Sequence, residues 1–308
     1  MKQLFFKTFL LLIISTKGFH SQNQLTREDG EYFIKIDDKY IYDLNQLNSS
    51  SEKFENTLNL TTFKNRFNFL DSNTGLHIDY NDITYTYVKK FLGYHWYPKI
   101  IGLSVYYFPL FESKLDHYGI PRELKYLAVV ESALNPRARS WAGASGLWQF
   151  MPATGAQYGL RKNEYINTFF DPVSNADAGA RYLRDLYRMY GDWNLAISAY
   201  NCGPGNVNKA IRRAGSKNYW TLRPYLPKET QAYVPSFIAV NYLFNFYKEH
   251  KMKPSYFRYS FFDLKRIRIN QTTTFASLSK KFDYNILKFA NPQFMTETIP
   301  EGSIVYVK

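Results

Sequence analysis

Hydrophobic and polar positions change their rhythm several times along this 308-residue chain. Phe9-Leu-Leu-Leu-Ile-Ile14 follows Lys2 and Lys7 and precedes the small and polar Gly18 and Ser21. That apolar run is too short to cross a bilayer and predicts a secretory signal peptide over residues 1–21, with an uncleaved N-terminal anchor as the alternative. Residues 22–75 are rich in Asn, Ser and Thr and predict an extended or loosely ordered arm, with a short strand near 32–36. From Ile78 the pattern turns helical. Ile83, Tyr87, Val88 and Phe91 form one stripe, and Val105, Phe108, Phe111 and Leu115 another. The knot Tyr94-His-Trp-Tyr-Pro98 between them suits the packing of a helix corner better than sugar stacking.

Further helices follow. Residues 119–132 read as one, with Pro121 at its first position. Another runs from Ala176 to Tyr190, capped by Ser174 or Asn175, with Ala180, Leu183, Leu186, Tyr187 and Tyr190 inward and Gly191 as its stop. Residues 193–200 and 206–214 continue the series, and a long helix covers 228 to about 248, with Pro235 inside its first two turns. Helix after helix with no strand run predicts an all-α domain over 76–252. The tail differs. Lys265-Arg-Ile-Arg-Ile269 alternates as a strand does, 274–282 and 285–290 look helical, and 304–307 end as a strand, so 256–308 predict a small α+β module of order β-α-α-β.

Chemistry enters at Glu131. Leu124, Leu127 and Ala128 mark the apolar face of the 119–132 helix, and Glu131 occupies the next place on it. A carboxylate on such a face must be paired or protonated. Pairing with Arg137 or Arg139 is the structural alternative. Three more stretches follow in order: Ser140-Trp-Ala-Gly-Ala-Ser-Gly146 running into Leu147-Trp-Gln149, then Ala199-Tyr-Asn-Cys-Gly-Pro-Gly205, then Glu229-Thr-Gln-Ala-Tyr233. Taken singly they are a turn, a helix end and a helix start.

Together, Glu131-Ser132, Gly146-Leu-Trp-Gln149, Ala199-Tyr-Asn-Cys-Gly-Pro-Gly205 and Glu229 to Tyr233 resemble, in order and spacing, the motifs of family 1 lytic murein transglycosylases, the membrane-bound murein transglycosylase D branch above all. The resemblance implies a lysozyme-like helical domain that cleaves the β-1,4 bond from N-acetylmuramic acid to N-acetylglucosamine without water. A single catalytic acid, Glu131, then gives and retrieves one proton while a 1,6-anhydro end forms. It further implies that Ser132, Gln149, Tyr200, Asn201, Glu229 and Tyr233 line the glycan groove or orient the acid, with Ser132 and Tyr233 holding Glu131 or the scissile sugar. The tail, with Ile286-Leu-Lys-Phe-Ala-Asn-Pro292 and the late Gly302, resembles a LysM module, a class that binds N-acetylglucosamine-containing glycans. It departs from that pattern at Asn270-Gln-Thr272. A small stabilising appendage is the other reading of the tail.

Composition narrows the partners. The net charge is +13, three fewer if Lys2, Lys7 and Lys17 leave with a signal. A basic exported protein with no zinc-finger or RNA-binding motif suits an anionic wall polymer, and nucleic acid is not expected. Cys202 is the only cysteine, so no intrachain disulfide can form, and it reads as a small buried filler. The five histidines have no metal-ligand spacing; no metal and no cofactor are expected. No span follows the signal segment, so periplasm or cell envelope is the expected location. Two readings compete with transglycosylation: a goose-type lysozyme-like hydrolase, which needs a second carboxylate across the groove, and a wall-binding protein without catalysis.

Overall fold

A computed structural model describes residues 25–28, 31–34, 57–76 and 78–308. The expected signal segment and half of the arm lie outside these. Within the arm, β1 (Leu25–Glu28) and β2 (Glu31–Ile34) pair antiparallel with Leu25 opposite Ile34, and the expected strand falls on the second of them.

At its C-terminal end the arm forms a helix, α1 (Leu60–Asn73), in place of the expected loose chain. Asn59 caps it by accepting from the Thr61 and Thr62 amides, and Phe63, Phe67 and Leu70 are buried. Three apolar residues at i, i+4 and i+7 suffice to dock a helix whose other positions are polar. Then come α2 (Asp82–Leu92), α3 (Tyr97–His117) and α4 (Tyr126–Ser132). Residues 119–132 therefore do not make one helix: Pro121 precedes a 3₁₀ turn, Arg122–Lys125, and the α-helix starts only at Tyr126. The stripe survives, with Leu124, Leu127 and Ala128 fully buried.

Beyond the short α5 (Pro152–Gln157) lie α6 (Pro172–Tyr190), α7 (Trp193–Cys202), α8 (Pro204–Ala214), α9 (Tyr219–Leu222) and α10 (Lys228–Phe246). The cap of α6 is Asp171, not Ser174 or Asn175. Its carboxylate accepts from the Ser174 amide at 3.0 Å, with Pro172 at the first helical position. Tyr187 does not point inward; it is exposed and stacks flat on Trp193 at 4.1 Å. Val105 is likewise exposed on α3. The aromatic knot packs as expected, Trp96 stacking on the buried Tyr97 at 4.2 Å.

Helix α10 is the axle. It is buried on all sides from Ala232 through Leu243 and packs against α2, α4 and α7. Pro235 within it deprives the Gln231 carbonyl of its helical donor. That carbonyl instead accepts from Arg223 Nε at 2.7 Å and from the Tyr219 hydroxyl at 3.4 Å, which fastens the preceding turn to the axle.

The C-terminal module has β3 (Lys265–Arg268), β4 (Thr273–Thr274), α11 (Phe275–Leu278), α12 (Tyr284–Ala290), β5 (Thr298–Ile299) and β6 (Ile304–Val307). β3 pairs antiparallel with β6, and β4 with β5, so the expected β-α-α-β order gains one extra ribbon. Its first helix is shorter than 274–282. Phe275, Leu287, Phe294, Ile299 and Val305 form a core of its own. Ala290 and Tyr306, however, belong to the large helical core, and Tyr106 of α3 packs on Phe289 at 4.9 Å and Phe261 at 5.8 Å. Arg137 donates from Nε to the Pro292 carbonyl at 3.0 Å and from Nη2 to the Phe294 carbonyl at 2.7 Å. Backbone bonds from Asn167 to Gln293 and from Met295 to Tyr165, each 2.8 Å, extend the seam.

Candidate active-site cleft

Helix α4 ends in the residue that matters. Glu131 lies in its last turn and is only 6% exposed. The two residues after the helix's last residue, Ser132, are Ala133 and Leu134; both are left-handed, at φ 50° and 63°, and fully buried. Such backbone costs on the order of 1 kcal/mol or more per residue and persists only where packing imposes it. The chain thus turns sharply away and leaves the Glu131 side chain at the floor of a cleft of about 480 Å³.

Among the described residues no cation pairs with Glu131. Arg137 is committed to the C-terminal module, and Arg139 forms a β-bridge to Ser145. Its partner is the buried Tyr233 of α10, whose hydroxyl donates a hydrogen bond to Glu131 Oε1. Burial disfavours the carboxylate and pushes its pKa up to about 8, with the Tyr233 bond pulling partly the other way. Burial therefore favours the protonated, neutral form of Glu131.

The loop 146–150 forms one wall, and its shape depends on close approaches. Gly146 has φ +87°, and a Cβ there would sit 1.9 Å from the Phe169 carbonyl oxygen. The Trp148 ring is buried against Gly179 of α6, where a Cβ would come within 2.7 Å of it, and the Trp148 amide donates to Asn175 Oδ1 at 2.9 Å. Gln149 is also left-handed, at φ 45°. Its Nε2 donates to the carbonyls of Ala138, at 3.1 Å, and Gly146, at 2.8 Å. The residue lines the cleft, and its buried Oε1 receives no hydrogen bond from the protein.

The opposite wall comes from α7 and the start of α10. Tyr200 donates its hydroxyl to the Trp148 carbonyl at 2.6 Å, joining the two walls. Thr230 donates to Asn201 Oδ1 at 2.7 Å, which fixes the amide so that Nδ2 faces Glu229 Oε1 at 3.3 Å. Glu229 is half-buried, and burial lifts its pKa to about 7.

Glu131, Gln149, Tyr200, Asn201 and Glu229 thus come together on one cleft. Ser132 and Tyr233 stand outside its lining. Tyr233 holds the acid from beneath. Ser132 gives its hydroxyl to the carbonyls of Ala128, at 3.0 Å, and Leu147, at 2.8 Å, so it ties the helix end to the opposite loop and touches neither acid nor cleft. Cys202 is half-buried: it packs against the large core and also lines the cleft. Thr230, Met151 and Trp141 also line the cleft and escaped the sequence reading. Thr230 could have been found as the residue after Glu229 in the fourth motif, and Trp141 as the one large side chain in a loop of small ones. Among the described residues no group of His, Cys, Asp and Glu could hold a metal ion.

Known proteins share this part of the chain. Membrane-bound lytic murein transglycosylase D of Escherichia coli is 41% identical over 128 residues, which is 40% of this chain and 28% of that protein. A transglycosylase of enterobacteria phage PRD1 is 38% identical over 99 residues, 32% of this chain and 34% of its own length. The chain therefore spans about a third or less of these two relatives. The crystal structure of the 70 kDa soluble lytic transglycosylase of Escherichia coli, 26% identical, overlays 56% of this chain and 29% of its own at a TM-score of 0.44. Glu131, Gln149, Tyr200 and Asn201 all fall within residues 109–223, and that stretch matches the family model described as the transglycosylase SLT domain.

Proposed function

We propose that this protein is an enzyme of the peptidoglycan envelope, a lytic transglycosylase acting on glycan strands after export to the periplasm or cell envelope. The observation that carries this reading is Glu131, a neutral carboxylic acid at the floor of a cleft, held by a tyrosine from the side away from solvent. Glu131 gives its proton to the N-acetylglucosamine O4 as the bond to muramyl C1 breaks. The muramyl C6 hydroxyl attacks C1 and forms the 1,6-anhydro ring, and its proton returns to the Glu131 carboxylate. The nucleophile is already tethered to the reacting ring, so no second molecule need be recruited. Tyr233 steadies the carboxylate between the two transfers. The orphan Gln149 Oε1 accepts from a sugar hydroxyl or acetamido N–H, since a buried acceptor without a donor is costly until the glycan arrives. Tyr200 and Asn201 shape the opposite wall, and Glu229 receives a sugar hydroxyl there. Ser132 acts through the loop it ties down. No cofactor enters. The LysM-like tail adds affinity for the same polymer, and the names of the relatives, lytic murein transglycosylases, agree with this substrate class.

One observation favours a second reading, hydrolysis. Glu229 lines the same cleft as Glu131, and a second carboxylate is what a hydrolase requires. The products decide. Sacculi digested by the purified protein should release muropeptides ending in 1,6-anhydromuramic acid, lighter by one water than lysozyme products, and Glu131→Gln should release none. Reducing muramic ends carrying label from heavy-oxygen water would move the protein to the hydrolases. No release by the wild-type chain would leave a wall-binding protein.

A further inference from the structure

The chain has five tryptophans, and Trp96, Trp148, Trp193 and Trp220 all belong to or pack against the large core. Trp141 is 76% exposed. Leaving so large an apolar surface in water is unfavourable unless something comes to cover it. The residue is not on a loose strand of chain. Ser140 N donates to the Ala144 carbonyl at 2.9 Å, Gly143 N to the Ser140 carbonyl at 3.0 Å, and Ala144 N to Ser140 Oγ at 3.0 Å. Gly143, at φ +92°, makes the turn, and Ser145 bridges to Arg139 on one side and Phe150 on the other. Trp141 is thus displayed on a braced turn, and it lines the same cleft as Glu131 and Gln149, which are below a tenth exposed. Met151, also exposed, shares that cleft.

We propose that Trp141 is a saccharide-stacking platform: the indole at the rim of the cleft receives the C–H face of a pyranose ring of the glycan strand and fixes where the strand lies over Glu131. A pyranose has one face of axial C–H groups, and a rigid indole desolvates against it at little conformational cost. The inference deepens the proposed function and rests on it for the identity of the polymer.

The test uses peptide-free glycan strands prepared from sacculi. In the Glu131→Gln protein, which binds without turnover, adding strands should blue-shift and change the intensity of tryptophan emission. The same protein carrying Trp141→Phe should show no such shift. In the active enzyme, Trp141→Ala should raise KM by roughly tenfold, about 1.4 kcal/mol, and Trp141→Phe should recover most of the loss. An emission change without product release from the wild-type enzyme would uphold the platform and sink the catalytic reading. Product release with unaltered KM in Trp141→Ala and no emission change would overturn the platform alone. Equal loss of kcat and circular dichroism signal in both variants would overturn it too, by making the residue a support of the turn.

Discussion

At the scale of single residues, the Glu131–Tyr233 pair sets the pH behaviour. On the proposed mechanism the acid must be protonated to act, so the alkaline limb of kcat/KM should fall near pH 8, the value to which burial pushes Glu131. Tyr233 donates to the carboxylate and so favours its charged form. Tyr233→Phe should raise the Glu131 pKa further, move that limb to higher pH and lower the plateau, because the returning proton meets a less steady base. A limb that stays in place would mean that Glu131 is not the titrating group. The same shift acts on stability. The folded state keeps a proton that the unfolded chain releases above its ordinary value of 4.5. Its contribution is whole below that value and is lost as pH climbs toward 8. Glu131→Gln should match wild type in melting temperature near pH 4 and exceed it at pH 8, a gain on the order of a few kcal/mol. Glu131 was legible in sequence because helical period alone sets it on an apolar face. The spent hydroxyl of Ser132 was not, since its acceptor, the Leu147 carbonyl, comes close only after a left-handed turn that no propensity forecasts.

Among elements, the seam at Arg137 changes what the tail is expected to do. Read from sequence, residues 256–308 are a detachable aid to wall binding, and their loss should spare activity on short soluble glycans. The structure runs a direct route from the tail to the cleft. Arg137 holds the carbonyls of Pro292 and Phe294, and its neighbour Ala138 accepts from Gln149 Nε2 and from the Gly146 amide. Arg137→Met should leave two acceptors without their donor, at about 1–3 kcal/mol each where they are buried. We expect truncation before residue 256 to lower turnover of soluble glycan as well as retention on insoluble wall. Full turnover in a folded, truncated enzyme would confine the seam to stability. The order of strands and helices in the tail could be read from alternation and period. Its docking could not, because Tyr106, Phe257 and Phe289 meet only in three dimensions. Helix α1 stayed hidden for a related reason: its three buried aromatic and aliphatic positions are diluted by Asn, Thr and Lys.

For the whole molecule, charge is the property that acts at a distance. With a net +13, the chain should be drawn to a polymer that carries peptide carboxylates, and that attraction is screened over about 8 Å at physiological salt. Retention on sacculi should therefore fall several-fold as salt rises from 0.05 to 0.5 M, while turnover of a short oligomer carrying a single muramyl carboxylate changes far less. Equal loss of both would mean that salt perturbs the cleft itself. The seam between the two cores has one more consequence, for descent. A bead on a flexible string can be exchanged between genes as a unit, but here an arginine beside the cleft loop and two main-chain carbonyls in the tail fit one another. A chimera that joins the helical half to a foreign tail should fold poorly until its counterpart of the 292–294 turn fits Arg137, so the two halves are expected to be exchanged as one piece.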